Sequence, residues 1–186
     1  MTQQIRDSLH YKGKKYSLNN EILEYFFKEF PEKKPENIGS FSACWRGYVA
    51  DFEIKNNELI IKKMRWMFSK ESEDHHRTLK NIFTDDKYNW FSGLIRIDDF
   101  RGKYDDEDDE EGIYELLEIR DGNFIRHWKL NFVDFNDFKK IIFTNYKTTK
   151  EYEKLFLLWK NNNPGITTTK IDEYIFQNII RNVRKI

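Results

Sequence analysis

The chain has 186 residues, of which 39% are hydrophobic and 17% aromatic, so it can bury a core and is not a largely disordered protein. Basic and acidic side chains both number 32, which argues against a nucleic-acid binder, because phosphate contacts favour a basic excess. One cysteine excludes an intramolecular disulfide. With no signal sequence and no run of about 18 apolar residues, we expect a cytoplasmic protein that does not enter a membrane.

The N-terminal third is predicted to form a small hairpin, a short helix and a long hairpin. A glycine turn between apolar residues indicates the small hairpin, and Asn19 or Asn20 is expected to cap the helix. Pro31 and Pro35 end that helix. The predicted spans are residues 9–18, 21–30 and 40–68.

The long hairpin has the clearest alternation of apolar and polar residues. Its first strand is expected to begin near Ser40, and Asn56-Asn57 suits a tight turn. Cys44, at the start of the same strand, is interpreted as a buried, inert thiol, because no general base that would activate it as a nucleophile is indicated nearby. The residues predicted to face the core are Tyr48, Ala50, Phe52 and Ile54.

An acidic segment, residues 98–111, interrupts the middle of the chain. It carries nine acids and two bases, a local net charge of −7. Residues 69–76 are predicted to form a loop and 90–97 a strand before it, and strands 112–120 and 123–133 follow it, joined at Asp121-Gly122. In the last strand, one face is predicted to hold Phe124, Trp128, Leu130 and Phe132, and the other His127, Lys129 and Asn131.

From Asp134 onward the apolar spacing becomes helical. Asp134 is expected to cap a first helix, Thr148 with Glu151 a second, and Thr169 to open a third. The sequence therefore predicts an α+β fold with a largely antiparallel sheet in the N-terminal two-thirds and C-terminal helices at one side. Residues 1–133 form the β-rich domain, and residues 134–186 a helical region of the same compact unit.

Two motifs carry a resemblance to a known group. They are Trp45-Arg46-Gly47-Tyr48-Val49-Ala50 and Trp90-Phe91-Ser92-Gly93-Leu94-Ile95-Arg96-Ile97. As a pair they resemble a group of uncharacterised bacterial proteins with a Trp-Arg-Gly-Tyr hairpin motif and a Trp-Phe-Ser-Gly strand motif, over residues 8–133. That group has no established activity, so the resemblance implies no functional residue. In size and composition the chain is also similar to immunity proteins of bacterial toxin systems.

The motif residues could form a ligand site. Arginine stacks on aromatic rings and binds carboxylates or phosphates with its planar fork. The alternative is structural: Arg46 pairs with a buried acid, and Gly47 allows a close approach or a bulge. The possible ligand-site residues are Trp45, Arg46, Tyr48 and Arg96.

No pattern indicates a catalytic residue, a metal or a cofactor. His75-His76 lacks the spacing of zinc ligands, and His10 and His127 are expected on strand surfaces. The acidic segment lacks the Asp-x-Asp-x-Asp-Gly pattern, with its glycine, that is typical of calcium-binding loops. An enzyme is therefore unsupported, although an enzyme or small-ligand binder at the motif residues remains the alternative function.

The acidic segment has two further interpretations, a solvated loop or a patch that meets a basic protein partner. Charge complementarity speeds association and selects partners. We therefore expect a protein-binding protein without catalytic activity, in its sharpest form an immunity protein that neutralises a basic toxin. The predicted partner-binding residues are Asp98, Asp99, Asp105, Asp106, Glu107, Asp108, Asp109, Glu110 and Glu111.

Overall fold

The structure, a computed structural model, describes residues 4–18, 20–34, 39–67, 89–98 and 111–184. These ranges confirm the α+β prediction, with strands followed by helices. A 3-10 turn, Pro31–Lys33, follows the first helix. In chain order the elements are β1 (Ser8–Tyr11), β2 (Lys14–Leu18), α1 (Ile22–Glu29), β3 (Tyr48–Lys55), β4 (Glu58–Trp66), β5 (Gly93–Asp98), β6 (Tyr114–Arg120), β7 (Asn123–Leu130), α2 (Phe132–Tyr146), α3 (Lys150–Asn162), α4 (Thr168–Gln177) and α5 (Ile179–Asn182).

The described strands close into a barrel in the order β1-β2-β5-β6-β7-β4-β3. Neighbours are antiparallel except β1 and β3, which run parallel with Ser8 opposite Asp51. Each predicted hairpin is present. Closure joins strands far apart in sequence, through Leu18 opposite Ile97 and Glu58 opposite Asn123. Because the barrel is closed, each described strand pairs with a neighbour on both sides, although the β4–β7 pairing is short.

The two ends of the barrel differ. The helix end holds the starts of β3 and β5, and α1 covers it, because four apolar residues of α1 join the interior core. The far end holds the end of β5 and the start of β6, which the acidic segment separates in the sequence. The four apolar residues of α1 are Ile22, Leu23, Phe26 and Phe27.

Bulges decide which residues enter the barrel. On β4, Met64 faces Ala50 and Ile61 faces Phe52, so one extra residue lies between them. The prediction for β3 is confirmed: Tyr48, Ala50 and Phe52 are fully buried, and Ile54 packs against the same core.

The predicted face of β7 is wrong at Phe124. Glu118 lies opposite Arg126 but Ile119 lies opposite Phe124, so a bulge at this point changes the side to which Phe124 points. Phe124 joins the barrel interior, whereas Trp128 and Leu130 pack against the helices.

A second core lies between the outer face of β5–β6 and the helices. Leu94 and Leu116 are fully buried there, and Ile95 and Leu117 are buried inside the barrel. Both faces of these two strands are therefore covered, as in a sheet between two layers. The helical residues buried in this core are Phe135, Ile142, Tyr146, Ile171, Ile175, Ile179, Ile180 and Val183.

Gly93 lets the helical layer approach the barrel. Its φ is +151°, and a Cβ at this position would lie 2.9 Å from the carbonyl oxygen of Val183. Only glycine combines this backbone conformation with such a close approach. The glycine of the Trp-Phe-Ser-Gly motif thus has a packing role.

Several predicted boundaries and caps are wrong. The first strand of the long hairpin begins at Tyr48, not at Ser40, because the chain turns through the residues before Gly47, whose φ is +75°. Asn131, Thr149 and Thr167 cap α2, α3 and α4 in place of Asp134, Thr148 and Thr169. Each observed cap accepts from the backbone N–H three residues later, and other polar residues lie close to each one in the sequence, so the sequence alone leaves the choice open.

We expect Tyr48→Ala to lower the free energy of unfolding by about 3–5 kcal/mol, the usual range for truncating a buried aromatic side chain. Tyr48 is fully buried, whereas the side chain of Trp45, three residues away, is 50% exposed. Trp45→Ala is the matched control and should have a much smaller effect. Urea unfolding of the three proteins decides the matter, and equal losses in both variants would contradict the assignment.

Candidate functional site

Arg46 and Asp7 form a buried ion pair at the helix end of the barrel. Nη1 of Arg46 donates to Oδ2 of Asp7 at 2.7 Å, and Nη2 donates to the Ile5 carbonyl at 2.9 Å. The exposed fractions of the two side chains are 3% and 0%. The backbone N–H of Ala50 donates to the other Asp7 oxygen at 2.8 Å. This is the structural role that the sequence left open for Arg46, and Asp7 is its acidic partner.

The charge of Asp7 is costly to bury. Burial raises the pKa of Asp7 to about 6, although the Arg46 guanidinium and the Ala50 N–H oppose that rise. Arg46 also lies over the Tyr48 ring, with its Cζ 5.2 Å from the ring centre. The pair therefore stabilises the fold through its complete set of partners rather than through charge attraction alone.

Tyr48 extends the network to α1. Its hydroxyl donates to Oε1 of Glu24 at 2.8 Å, and Lys34 bonds the same carboxylate at 3.2 Å. Burial and the Glu24 charge raise the pKa of the Tyr48 hydroxyl far above its ordinary value. Tyr48 is thus a neutral donor that ties β3 to the helix closing the barrel.

A cleft of about 180 Å³ opens beside the ion pair. We call it the arginine cleft, because Arg6, Arg46 and Arg181 all line it. Asp7 and Glu21 supply its carboxylates. The cleft joins four parts of the chain, namely the segment before β1, the connection from β2 to α1, the segment before β3, and α5.

Arg96 lines a smaller depression that shares Asn20 and Arg181 with the arginine cleft. Asn20 does not cap α1, contrary to prediction. Its amide donates to the Leu94 carbonyl at 3.0 Å and accepts from the Arg96 N–H at 3.2 Å, which continues the β2–β5 ladder beyond Leu18.

The four residues of the possible ligand site are therefore only partly brought together. Arg46 and Arg96 line adjoining depressions, whereas neither Trp45 nor Tyr48 lines them. Sequence reasoning missed Arg6 and Arg181. No local signal links them to Arg46, because Arg181 is separated from it by most of the chain.

At the far end, His127 occupies an environment that the sequence did not predict. Nε2 of His127 lies 2.6 Å from Oε2 of Glu115, and Nζ of Lys129 lies 3.2 Å from the other oxygen. The His127 ring meets the buried Tyr11 ring edge-on, with centres 5.4 Å apart. The prediction of a strand-surface position for His127 is wrong, because this face of β7 turns into the barrel.

The acidic segment is described only at its ends. Asp98 is the last residue of β5, Glu111 is exposed, and residues 99–110 lie outside the described residues, as do His75 and His76. Next to the segment lie Ile113 and Val133, with exposed fractions of 64% and 66%. These are the two most exposed large apolar side chains of the described residues. Tyr114 pairs with Leu130, so both belong to the far end.

Within the described ranges, no group of three or more potential ligands could hold a metal ion. Cys44 is buried, and its thiol donates to the Tyr48 carbonyl at 3.3 Å. Its position agrees with the predicted packing role.

Comparison with known proteins finds no matching family model, no matching curated protein and no matching solved structure. Among the described helices, none is long and apolar enough to cross a membrane.

We expect Arg46→Met to lower the free energy of unfolding by about 3–5 kcal/mol, because it leaves the Asp7 carboxylate buried without its partner. The double variant Asp7→Asn/Arg46→Met should lose less than the sum of the two single losses, since the two residues act as a unit. Lys140→Met, at an exposed ion pair with Asp137, is the control and should be nearly neutral. Additive losses in the double-mutant cycle would rule out the coupling.

Proposed function

We propose that the chain binds another protein through the far end of its barrel, and that it acts in the cytoplasm as an immunity protein against a basic bacterial toxin. The observation that carries the proposal is that the two most exposed large apolar side chains described lie at the barrel end where the chain leaves β5 for the acidic segment and enters β6 after it. These two side chains are Val133 and Ile113.

This combination suits a protein interface. Exposed apolar side chains that lie together supply the contact area that loses water on binding, and charges around them select the partner. The local net charge of −7 in an otherwise neutral chain favours a basic partner. Toxins that act on nucleic acids need basic surfaces to hold phosphates, so such a toxin has the complementary charge.

The strand ends support the surface. Tyr114 stacks on Phe135 with ring centres 4.2 Å apart, and Asn131 caps α2 through the Asp134 N–H. Ile113 precedes Tyr114 directly, and Val133 lies in the first turn of α2. Both side chains therefore project from anchored backbone, which lowers the entropy lost on binding.

A growth assay tests the immunity function. The product of the adjacent gene is expressed alone and together with this chain. Growth inhibition by that product, relieved by the chain, with a stable complex in size-exclusion chromatography, is the expected result. A toxic neighbour that the chain neither binds nor neutralises would overturn the proposal.

We expect Ile113→Ser and Val133→Ser each to weaken partner binding about tenfold, the size of a moderate interface contact. Ile125→Ser is the matched control, because Ile125 is also an exposed isoleucine, 46% accessible, but lies toward the other end of β7. Isothermal titration calorimetry compares the three. Equal losses at all three positions, or none, would show that the far end is not the interface.

We expect neutralisation of the acidic segment to slow association rather than speed dissociation, because long-range attraction acts before contact. The on-rate should fall and depend less on salt in surface plasmon resonance at two salt concentrations. An unchanged on-rate and salt slope would contradict the prediction. The variant replaces Asp105, Asp106, Asp108 and Asp109 by Asn. The control, which should match the wild type, replaces Asp137, Glu151, Glu153 and Glu173 by the corresponding amides.

A further inference from the structure

One side of β7 carries backbone groups that no described strand pairs. β7 pairs with β6 along its length, but its other neighbour, β4, meets it only where Glu58 lies opposite Asn123. The last backbone hydrogen bond across that seam runs from the Phe124 N–H to the Asn57 carbonyl at 2.7 Å. Along residues 125–130, no described backbone group bonds the side of β7 that faces away from β6.

An unpaired strand edge of this kind binds extended peptides. In an antiparallel ladder every second residue directs its N–H and C=O to the same side, so about three residues of the stretch 125–130 offer both groups. The stretch extends over about 20 Å. A peptide that pairs with such an edge gains affinity from main-chain hydrogen bonds and specificity from its side chains.

A bulge marks the start of the unpaired edge. Glu118 lies opposite Arg126 and Ile119 opposite Phe124, so Ile125 is the extra residue of β7. A bulge bends its strand and increases the local twist. The bulge lies directly after the point at which the pairing with β4 ends, and β7 continues beyond it paired on one side.

Both faces of β7 are packed, so the edge is ordered before any partner binds. On the outer face Trp128 contacts the helical core, with its ring centre 5.1 Å from that of Phe138. On the inner face the rings of His127 and Tyr11 meet with their centres 5.4 Å apart. An edge that is already ordered loses little entropy when a peptide pairs with it.

The charges of β7 determine which kind of strand suits the edge. β7 carries Arg126 and Lys129 and no acidic residue. Arg126 is exposed and lies 4.6 Å from the centre of the Trp128 ring, and none of the described carboxylates forms an ion pair with it. The Lys129 side chain bonds Glu115 and is still 62% exposed. Because opposite charges on paired strands stabilise a sheet and like charges destabilise it, the edge favours an acidic strand.

The same charges argue against a second copy of this chain as the partner. Two copies of β7 side by side would bring together four cations, two from each copy, with no acid on either strand. β4, whose pairing with β7 ends at Glu58, is also basic, since it carries Lys62, Lys63 and Arg65. Cations at a sheet edge oppose association between identical chains. An acidic strand from a different protein meets no such repulsion.

We propose that the edge of β7, residues 125–130, binds an extended acidic segment of another protein, which pairs with it as an added strand. Two acidic residues three positions apart in that segment lie opposite Arg126 and Lys129. The proposal concerns a strand edge rather than the apolar pair at the far end, and an acidic rather than a basic partner. It does not rest on the immunity function.

Synthetic peptides test the proposal with the full chain. The probe is a seven-residue peptide of threonine and valine, which favour strands, with glutamate at its second and fifth positions. Titration into isotope-labelled protein should shift the NMR signals of the amides of residues 125–130 in a saturable way. A peptide with lysine in place of both glutamates should bind about tenfold more weakly, because two attractive cross-strand pairs become repulsive.

Backbone methylation separates strand pairing from charge attraction. Two further versions of the glutamate peptide carry N-methyl groups on alternate amides, one on the odd positions and one on the even positions. Only one of the two should lose affinity, by more than tenfold, because a strand donates to its neighbour from alternate residues. Equal affinity of the two versions would contradict strand addition. Absence of saturable binding by the glutamate peptide, or shifts confined to regions other than β7, would also overturn the proposal.

A matched pair of variants tests the charge preference. Arg126→Glu should remove most of the preference for the glutamate peptide over the lysine peptide. Lys154→Glu is the control, because it changes the net charge equally at an exposed position of α3, and it should keep the tenfold preference. Equal preferences in the two folded variants would rule out the role of Arg126. The peptide comparisons on the wild type do not depend on either variant folding.

Discussion

The buried ion pair between Asp7 and Arg46 stabilises the barrel where β1 meets β3. β1 and β3 form the one parallel pair among the described strands, and their ladder starts at Ser8. Asp7 continues that ladder with a side chain, since its carboxylate accepts the Ala50 N–H while Arg46 satisfies the other oxygen. The attachment of β1 thus depends on the Asp7 carboxylate having all of its hydrogen-bond partners. A buried carboxylate without partners would destabilise the fold by more than the intact ion pair stabilises it.

Helices cover the barrel at two places, and this explains much of the remaining architecture. α1 closes one end, and the C-terminal helices cover the outer face of β5 and β6. Strands covered on both faces become apolar on both, which explains the run Gly93-Leu94-Ile95-Arg96-Ile97 and the pair Leu116-Leu117. Gly93 then has to lack a side chain, because the end of α5 occupies that space.

Local sequence patterns predicted the helices and hairpins well. They did not predict which distant strands and side chains meet. The hairpins and helices follow from turn residues and apolar periods, which act over a few positions. The closure of the barrel, by contrast, pairs Leu18 with Ile97. Nothing in the sequence around either residue indicates that the two strands are neighbours. The same limit applies to the candidate sites: an acidic partner for Arg46 was predicted, but its identity as Asp7 was not.

His127 illustrates a second limit. The alternation along β7 was interpreted as one buried and one solvated face, although in this barrel the face opposite Trp128 turns to the interior. An alternating pattern shows which residues share a face of the strand. It does not show whether the polar face lies in solvent or inside the barrel. The bulge beside Ile119 then exchanges the sides again within the same strand.

The seam between β4 and β7 is the lightest in the barrel, with Glu58 opposite Asn123 as its one register pair. Two backbone hydrogen bonds cross it nearby, from Leu59 to Gly122 and from Phe124 to Asn57, at 2.8 and 2.7 Å. Opening this seam breaks fewer hydrogen bonds than separating β3 from β4, which are paired along their whole length. Local opening of the barrel is therefore expected first between β4 and β7, while the Asp7–Arg46 ion pair remains intact. In such an opening the backbone amides of Leu59 and Phe124 exchange hydrogen with solvent before those of β3.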